Sequence, residues 1–337
     1  MGLMNLGPCF HHLRKMKRSS ALKSDPFFIV GSGRSGSTLL RMILSSHSRI
    51  FIPPETWYIL PLVEEIPLTS PLNSREVKKA TDIIISHYRW VDIPMTDKEF
   101  LQAVEKSGSL TLRGLLDLIY GHCVSLYQKQ RWGDKTPVYI KILPQLSVLY
   151  PEAKFIYLLR DGHDVAKSFY DVGWYSPFIS ESVIEWKEAA SLYIRHKTSS
   201  LADKILEIRY EDFVRNMEKE VKSICRFLNE EYQPSMLQWQ SNIKDYIPSR
   251  EAHIHKKLYR QPQEDDAFRW KREMSKRHVL IIESHIHGEL TGIGYYLKYK
   301  DAFWRPLFFL VRLICRILVA MRRFASIFRR AVSVQFR

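Results

Sequence analysis

The strongest structural signal in the chain is the run FFIVGSGRSGSTLL, from Phe27 to Leu40. Its first four residues are apolar and end at a glycine, which predicts a short buried β-strand. Apolar residues then recur at helical spacing from Ser37 to Ser46, which predicts an α-helix. A glycine-rich loop between a strand and a helix offers backbone N–H groups and the positive helix end to an anion. The sequence therefore predicts an anion-binding loop at 31–38.

Further strands alternate with helices along the chain. Strands are predicted at Arg49 to Ile52, Lys154 to Leu159 and Ile205 to Ile208. Helices are predicted at about 75–89, 97–106, 110–130, 183–200, 212–229 and 273–290. This alternation is typical of a parallel sheet covered on both faces. We expect an α/β fold, a P-loop-like three-layer sandwich with a central parallel sheet, and ligands at the carboxyl ends of its strands.

The positive charge of the chain is concentrated at its two ends. The 337 residues include 51 Lys and Arg against 36 Asp and Glu, a net charge of +15. Residues 1–24 carry five basic residues and no acid, and residues 301–337 carry eight Arg and one Asp. The predicted domain at 25–300 is thus nearly balanced, whereas nucleic-acid-binding domains carry a basic face on the fold itself. We expect a basic lead, one domain and a basic C-terminal helix, with no nucleic-acid partner.

The cysteines indicate a reducing compartment. Cys9, Cys123, Cys225 and Cys315 lie far apart, without the spacing of a metal site. Free thiols of this kind are typical of intracellular proteins. The N-terminus lacks an apolar run long enough for a signal peptide. We expect a cytoplasmic protein that needs no metal.

Three ligands compete for the first loop. The loop fits the dinucleotide pattern GxGxxG, and Glu55 lies where a ribose-binding acid would stand, which predicts an NAD(P)-dependent oxidoreductase. It half-fits the phosphate loop of nucleotide kinases, but Ser37 stands where their Lys is required. The third ligand is a nucleotide with a sulfated 5′-phosphate and a phosphate on its ribose. That ligand needs a second anion site, and Arg160 with Ser168 offers one after a predicted strand.

Both anion loops resemble those of the sulfotransferase family. Residues 28–40 look like its 5′-phosphosulfate loop, and residues 157–168 look like its 3′-phosphate site. Weaker similarity is found at Pro54-Glu55-Thr56, Gly133-Asp134-Lys135-Thr136-Pro137, Arg209-Tyr210-Glu211-Asp212, Trp270-Lys271 and Gly292-Ile293-Gly294-Tyr295. The form that these motifs take in this chain is most similar to that in bacterial members and in tyrosylprotein sulfotransferases. The resemblance implies 3′-phosphoadenylyl sulfate (PAPS) as the co-substrate.

The resemblance also implies roles for individual residues. Glu55 would be the general base that takes the acceptor's proton, with a pKa raised by burial. Lys135 and Arg34 would stabilise the charge that develops during in-line transfer. The residues that would bind the donor are Arg34, Ser35, Gly36, Ser37, Thr38, Arg160, Ser168, Tyr210 and Trp270. For Trp270, packing in the core remains the alternative to binding the donor.

The C-terminal segment 301–337 has the pattern of a membrane-surface helix. On a helical wheel, five of its Arg residues fall within about 40° of one another, with apolar residues between them. Such a helix lies in the interface of an anionic membrane. Packing on the domain or on a second subunit is the alternative. The expectation is a peripheral protein on the inner face of a membrane.

The acceptor has a weaker signature than the donor. Aromatic residues near both loops suggest the walls of an acceptor pocket; they are Trp57, Tyr58, Trp174, Tyr175 and Phe178. Aromatic walls suit a glycan ring, a phenol or a lipid headgroup equally. The sequence therefore predicts a hydroxyl or amine acceptor of unspecified class.

Overall fold

A parallel β-sheet forms the centre of the fold. The computed structural model of the chain describes residues 25–173, 177–243, 256–300 and 303–335. The strands are β1 (Phe27–Gly31), β2 (Ile50–Phe51), β3 (Arg131–Lys135), β4 (Lys154–Leu159) and β5 (Ile205–Arg209). They lie in the order β2-β3-β1-β4-β5, and all neighbouring pairs are parallel. The carboxyl ends of β1, β3 and β4 therefore meet at one edge.

Helices cover both faces of this sheet. They are α1 (Ser37–Ser45), α2 (Ile59–Glu65), α3 (Ser74–Ser86), α4 (Asp97–Lys106), α5 (Leu112–Leu126), α6 (Leu143–Leu149), α7 (Gly162–Val172), α8 (Ile184–Lys197), α9 (Tyr210–Arg215), α10 (Met217–Leu228), α11 (Trp270–Glu273), α12 (Lys276–Ile293) and α13 (Trp304–Gln335). Side chains alternate along β1, so that Phe28 and Val30 join one core while Phe27 and Ile29 join the other. The predicted three-layer α/β sandwich is confirmed.

Strand β3 was not predicted from the sequence. The expected helix at 110–130 ends at Leu126, and the RWGDK strand follows it. Its polar residues are buried because distant groups satisfy them. Arg131 is fully buried and donates to the backbone carbonyls of Asp25 and Leu228 and to the Glu230 carboxylate. These partners are remote in sequence, so no local pattern indicated the strand.

Helix α13 is the predicted C-terminal helix, and it packs along α12. Phe308 is 4% exposed, and Arg312 Nη1 donates to the Ser284 carbonyl at 3.0 Å. Within the described residues, no helix has both the length and the apolar character needed to cross a membrane. The basic lead at 1–24 lies outside the described residues.

A glycine in β3 sets the fit between β3 and β1. A Cβ at Gly133 would lie 2.4 Å from the Phe27 ring, which is fully buried. We therefore expect Gly133→Ala to lower the free energy of unfolding by about 1–3 kcal/mol through overpacking. Urea denaturation followed by circular dichroism measures this loss.

Gly121→Ala in α5 is the matched control, because a Cβ there would meet no heavy atom within 4 Å. Alanine should leave stability unchanged or raise it by up to about 1 kcal/mol. Equal destabilisation by both variants would contradict this account of the packing between β1 and β3.

Candidate functional site

The first loop takes its shape from glycines that lie against neighbouring elements. Gly31 has a φ of 145°, and a Cβ there would lie 2.8 Å from the Leu158 carbonyl oxygen. Gly36, the N-cap of α1, has a φ of 95°, and a Cβ there would lie 2.6 Å from the Tyr210 ring. Arg34 also takes a positive φ, 62°, which is unusual for a residue with a side chain. The loop is therefore held in one strained conformation at the N-terminus of α1.

The second loop meets the first directly. Arg160, which follows β4, donates from Nη1 to the Arg34 carbonyl at 3.3 Å and stacks on the Tyr210 ring at 4.2 Å. Arg34 Nε in turn donates to Ser168 Oγ at 3.0 Å. Burial and the nearby charge of Arg160 lower the pKa of Arg34. The structure thus brings both predicted anion sites into direct contact.

Two buried donors on these loops lack hydrogen-bond partners. The Ser35 hydroxyl and Arg160 Nε make no hydrogen bond to any group in the part of the chain that the structure describes. Ser35 is 1% exposed and Arg160 is 8% exposed. A buried unsatisfied donor costs about 1–3 kcal/mol, more when it is charged. Each of these donors could therefore be satisfied by an acceptor on a bound ligand.

One amide of the loop is already satisfied within the protein. Gly33 N donates to Glu185 Oε1 at 2.6 Å, and a Cβ at Gly33 would lie 2.8 Å from that oxygen. Glu185 was not predicted from the sequence, because it lies 152 residues from Gly33, in the first turn of α8. Its carboxylate holds the loop in place by accepting this hydrogen bond, so the Gly33 N–H is not available to an anion.

Glu55 and Lys135 form a charge pair beside the loop. Lys135 Nζ donates to Glu55 Oε1 and lies 3.4 Å from Thr38 Oγ1. Trp57 Nε1 donates to the other Glu55 oxygen at 2.8 Å. Burial raises the pKa of Glu55, but the charge and hydrogen bond of Lys135 outweigh it, and the net pKa lies below its usual value. The expected raised pKa was wrong, and Glu55 is a carboxylate at neutral pH.

A buried aspartate holds this pair in position. Asp134 is fully buried and accepts from the hydroxyls of Thr56 at 2.8 Å, Thr136 at 2.7 Å and Tyr120 at 2.6 Å. Thr56 follows Glu55, so the network fixes that residue next to the end of β3. Burial raises the pKa of Asp134. The motif that contains Asp134 was recognised in the sequence, but this role of Asp134 was not predicted.

A second buried network lies beneath the other loop. Asp161 accepts from His163 N and from His163 Nδ1, both at 2.8 Å, and from Trp270 Nε1 at 3.1 Å. Trp270 stacks on His163 at 4.1 Å and is 3% exposed. This position favours the core role that the sequence left open for Trp270. His163 Nε2 lies 3.1 Å from Glu283 Oε1, so the imidazole lies between two carboxylates.

The expected aromatic walls of an acceptor pocket are only partly in place. Tyr58 is fully buried and packs edge-on against Trp90, so it belongs to the core. Trp57 contacts Glu55, and Phe178 is half-buried. Trp174 and Tyr175 lie outside the described residues.

Comparison with known proteins identifies the chain's family. A family model described as "Sulfotransferase family" matches residues 26–234, which include both anion loops. The chain belongs to the sulfotransferase family. The match runs from the start of β1 to beyond α10 and includes the pair formed by Glu55 and Lys135.

Individual relatives agree with this assignment. The chain is 32% identical to the nodulation protein NoeE of Sinorhizobium fredii over 46% of the chain and 33% of that protein. It is 25% identical to protein-tyrosine sulfotransferase 1 of Danio rerio over 66% of the chain and 60% of that protein. The chain therefore spans a third to three-fifths of these relatives. A sulfotransferase domain from the curacin biosynthetic pathway has the same fold, with a TM-score of 0.56, 23% identity and coverage of 82% of this chain and all of that one.

The alternative of a dinucleotide-dependent oxidoreductase is not supported. In dinucleotide-binding folds, the strand that carries the ribose-binding acid lies next to the first strand. Here β3 lies between β2 and β1. Glu55 is also engaged by Lys135 and Trp57.

Among the described residues, no group of three or more His, Cys, Asp and Glu side chains lies together as a metal site would require.

The His163 network predicts a pH dependence of stability. Burial alone would lower the pKa of His163, but Asp161 and Glu283 raise it to about 9, from 6.5. A raised folded-state pKa stabilises the fold below pH 6.5, and this contribution is lost as the pH rises through 9. We expect the free energy of unfolding to fall by up to about 3 kcal/mol over that window. Urea titrations at successive pH values measure it.

His163→Gln should remove this decrease, while His278→Gln should keep it, because His278 lies outside the network. Burial also raises the pKa of nearby Glu211 to about 7, which adds a separate loss of stability between pH 4.5 and 7. A wild-type stability that stays level from pH 6.5 to 9 would disprove the charged state of His163.

Proposed function

We propose that this protein is a PAPS-dependent sulfotransferase that transfers the sulfuryl group to a hydroxyl or amine. The observation that carries the proposal is the direct contact between the two cationic loops, Arg34 to Ser168 and Arg160 to the Arg34 carbonyl. A single ligand with anions at both ends would accept from both loops. PAPS, the co-substrate that the family resemblance implies, carries a phosphosulfate at one end and a ribose phosphate at the other.

The 5′ end of the donor is assigned to the first loop. Arg34, with Ser35, Gly36, Ser37 and Thr38, would hold the phosphate and sulfuryl oxygens. A planar guanidinium suits such oxygens because it donates two parallel hydrogen bonds. The unpartnered Ser35 hydroxyl supports this assignment, since an incoming oxygen would satisfy it.

The 3′ end of the donor is assigned to Arg160, Ser168 and Tyr210. Arg160 is already oriented by Tyr210 and by the Asp266 carbonyl at 2.9 Å, and its Nε is still available. Such preorganisation removes part of the entropic cost of binding. Contact between Trp270 and the adenine stays a prediction. The stacking of Trp270 on His163 favours a role in holding the second loop in place.

Transfer would proceed by in-line attack of the acceptor on sulfur. The acceptor oxygen or nitrogen forms the new bond to sulfur while the bond from sulfur to the phosphate oxygen breaks. Glu55 accepts the acceptor's proton, and its lowered pKa keeps it ionised and ready to do so. Lys135 stabilises the negative charge that develops on the leaving phosphate oxygen. Lys135 would leave Glu55 as it does so, which frees that carboxylate for the proton.

The acceptor class is proposed from the relatives and the site together. The Danio rerio relative is named for action on protein tyrosine, which points to a phenol. Glycans and lipid headgroups present hydroxyls of the same kind. Trp57, next to Glu55, supports an acceptor with a flat or ring-shaped group.

Glu55→Gln is the test of the proposed mechanism. The variant should lose about 10²–10⁴-fold in transfer rate because it cannot accept the proton. It should still bind adenosine 3′,5′-bisphosphate, which raises the melting temperature of any variant with intact anion loops. Transfer is measured with radiolabelled PAPS against membrane extracts and tyrosine peptides.

Glu64→Gln is the matched control, because Glu64 is exposed on α2, away from both loops. NAD and ATP should leave the melting temperature unchanged. If NAD stabilises the protein and the bisphosphate does not, the donor assignment is wrong. If Glu55→Gln transfers at the wild-type rate, the proposed role of Glu55 is wrong, but the donor assignment is unaffected.

A further inference from the structure

Helix α13 exposes a long apolar face that nothing in the described part of the chain covers. Eight large apolar side chains of the helix are between 44% and 72% exposed. They are Phe309, Leu310, Leu313, Ile314, Ile317, Leu318, Met321 and Phe324. Isolated exposed apolar residues are ordinary, but a contiguous apolar patch marks a binding surface.

This face is distinct from the one that packs on the domain. Phe308 is buried, Arg312 bonds to the Ser284 carbonyl, and both belong to the docked side. At ~100° per residue, Leu313 and Ile317 fall on the opposite side of the helix from Phe308. Further along, the Arg322 guanidinium lies 5.7 Å from the Phe178 ring, so the docked side is anchored there as well.

Positive charge borders the exposed apolar face. Arg305, Arg312 and Arg316 fall within about 40° of one another on the helical wheel. Arg305 and Arg316 are exposed. Between residues 302 and 337 the sequence has eight Arg and no Asp or Glu. The surface therefore combines an apolar stripe with a purely cationic flank.

We propose that the exposed face of α13 docks on the surface of an anionic lipid bilayer. The helix lies flat, with its apolar stripe among the acyl chains and its arginines at the acidic headgroups. Charge complementarity selects this occupant, because acidic headgroups pair with the Arg flank, whereas the same segment of a second copy has no Asp or Glu to pair with it. The longest run without a charge in this helix is six residues, which suits an interfacial helix. This inference does not depend on the chemistry proposed for the anion loops.

The segment that follows α7 contacts the side of α13 that faces the domain, opposite the proposed lipid-facing side. Phe178 and Ser180 both contact α13, the first through Arg322 and the second through the Cys315 thiol. The same helix α7 carries Ser168, which contacts Arg34. A short stretch of chain thus connects the lipid-facing helix to the candidate site.

Vesicle co-sedimentation of the full chain tests the proposal. We expect binding to vesicles of phosphatidylcholine mixed with phosphatidylserine, at least about tenfold tighter than to phosphatidylcholine alone, and weakening as salt rises. The variant with Leu313, Ile314 and Ile317 each changed to Ser should lose binding to both vesicles by at least about tenfold. The control changes three exposed apolar residues elsewhere, Val91, Leu101 and Ile184, to Ser and should bind as the wild type does.

A second variant separates charge from apolar contact. Arg305→Gln with Arg316→Gln should weaken binding to the anionic vesicles and leave the weaker binding to neutral vesicles unchanged. Circular dichroism and an unchanged melting temperature show that each variant is folded. Equal wild-type binding to both vesicles, or binding to neither, overturns the proposal. Self-association that the triple Ser variant abolishes, without vesicle binding, would assign the face to a second copy of the chain.

Discussion

The contact between the loops that carry Arg34 and Arg160 is the constraint on which the site depends. Arg160 donates to the carbonyl of Arg34, and the side chain of Arg34 donates to Ser168. Two like charges held in a partly buried crevice repel, and this repulsion helps to lower the pKa of Arg34. An anion placed between them would turn the repulsion into attraction. The fold therefore maintains an electrostatic cost that a doubly anionic ligand would relieve.

The sheet makes this approach possible. Because β1 and β4 are parallel neighbours, the loops that follow them leave the same edge. Gly31 and Gly36 then let the first loop pass against Leu158 and Tyr210 without a Cβ in the way. Strand β3 lies on the other side of β1 and brings Lys135 to the same edge. Cations that follow or end three strands thus lie at one edge of the sheet, and Glu55 pairs with Lys135 among them.

Local patterns predicted the first loop well and the support around it poorly. The apolar run of β1, the glycines and the helical spacing of α1 are adjacent in sequence, so they indicated the anion loop directly. In β3, by contrast, Arg131 and Asp134 are polar and buried, and their partners include the distant residues Glu230 and Thr56. The pKa of Glu55 was predicted in the wrong direction because its outcome depends on Lys135, 80 residues away. Glu185 was missed for the same reason.

The most direct test compares the affinities of two nucleotides by calorimetry. For the wild type, adenosine 3′,5′-bisphosphate should bind at least about tenfold tighter than adenosine 5′-monophosphate, because one extra charged hydrogen bond contributes about 1.5–3 kcal/mol. In Arg160→Met this ratio should fall towards one with little change for the monophosphate, whereas Arg34→Met should weaken both nucleotides. An equal ratio in the wild type and in Arg160→Met would contradict a single donor held between the two loops.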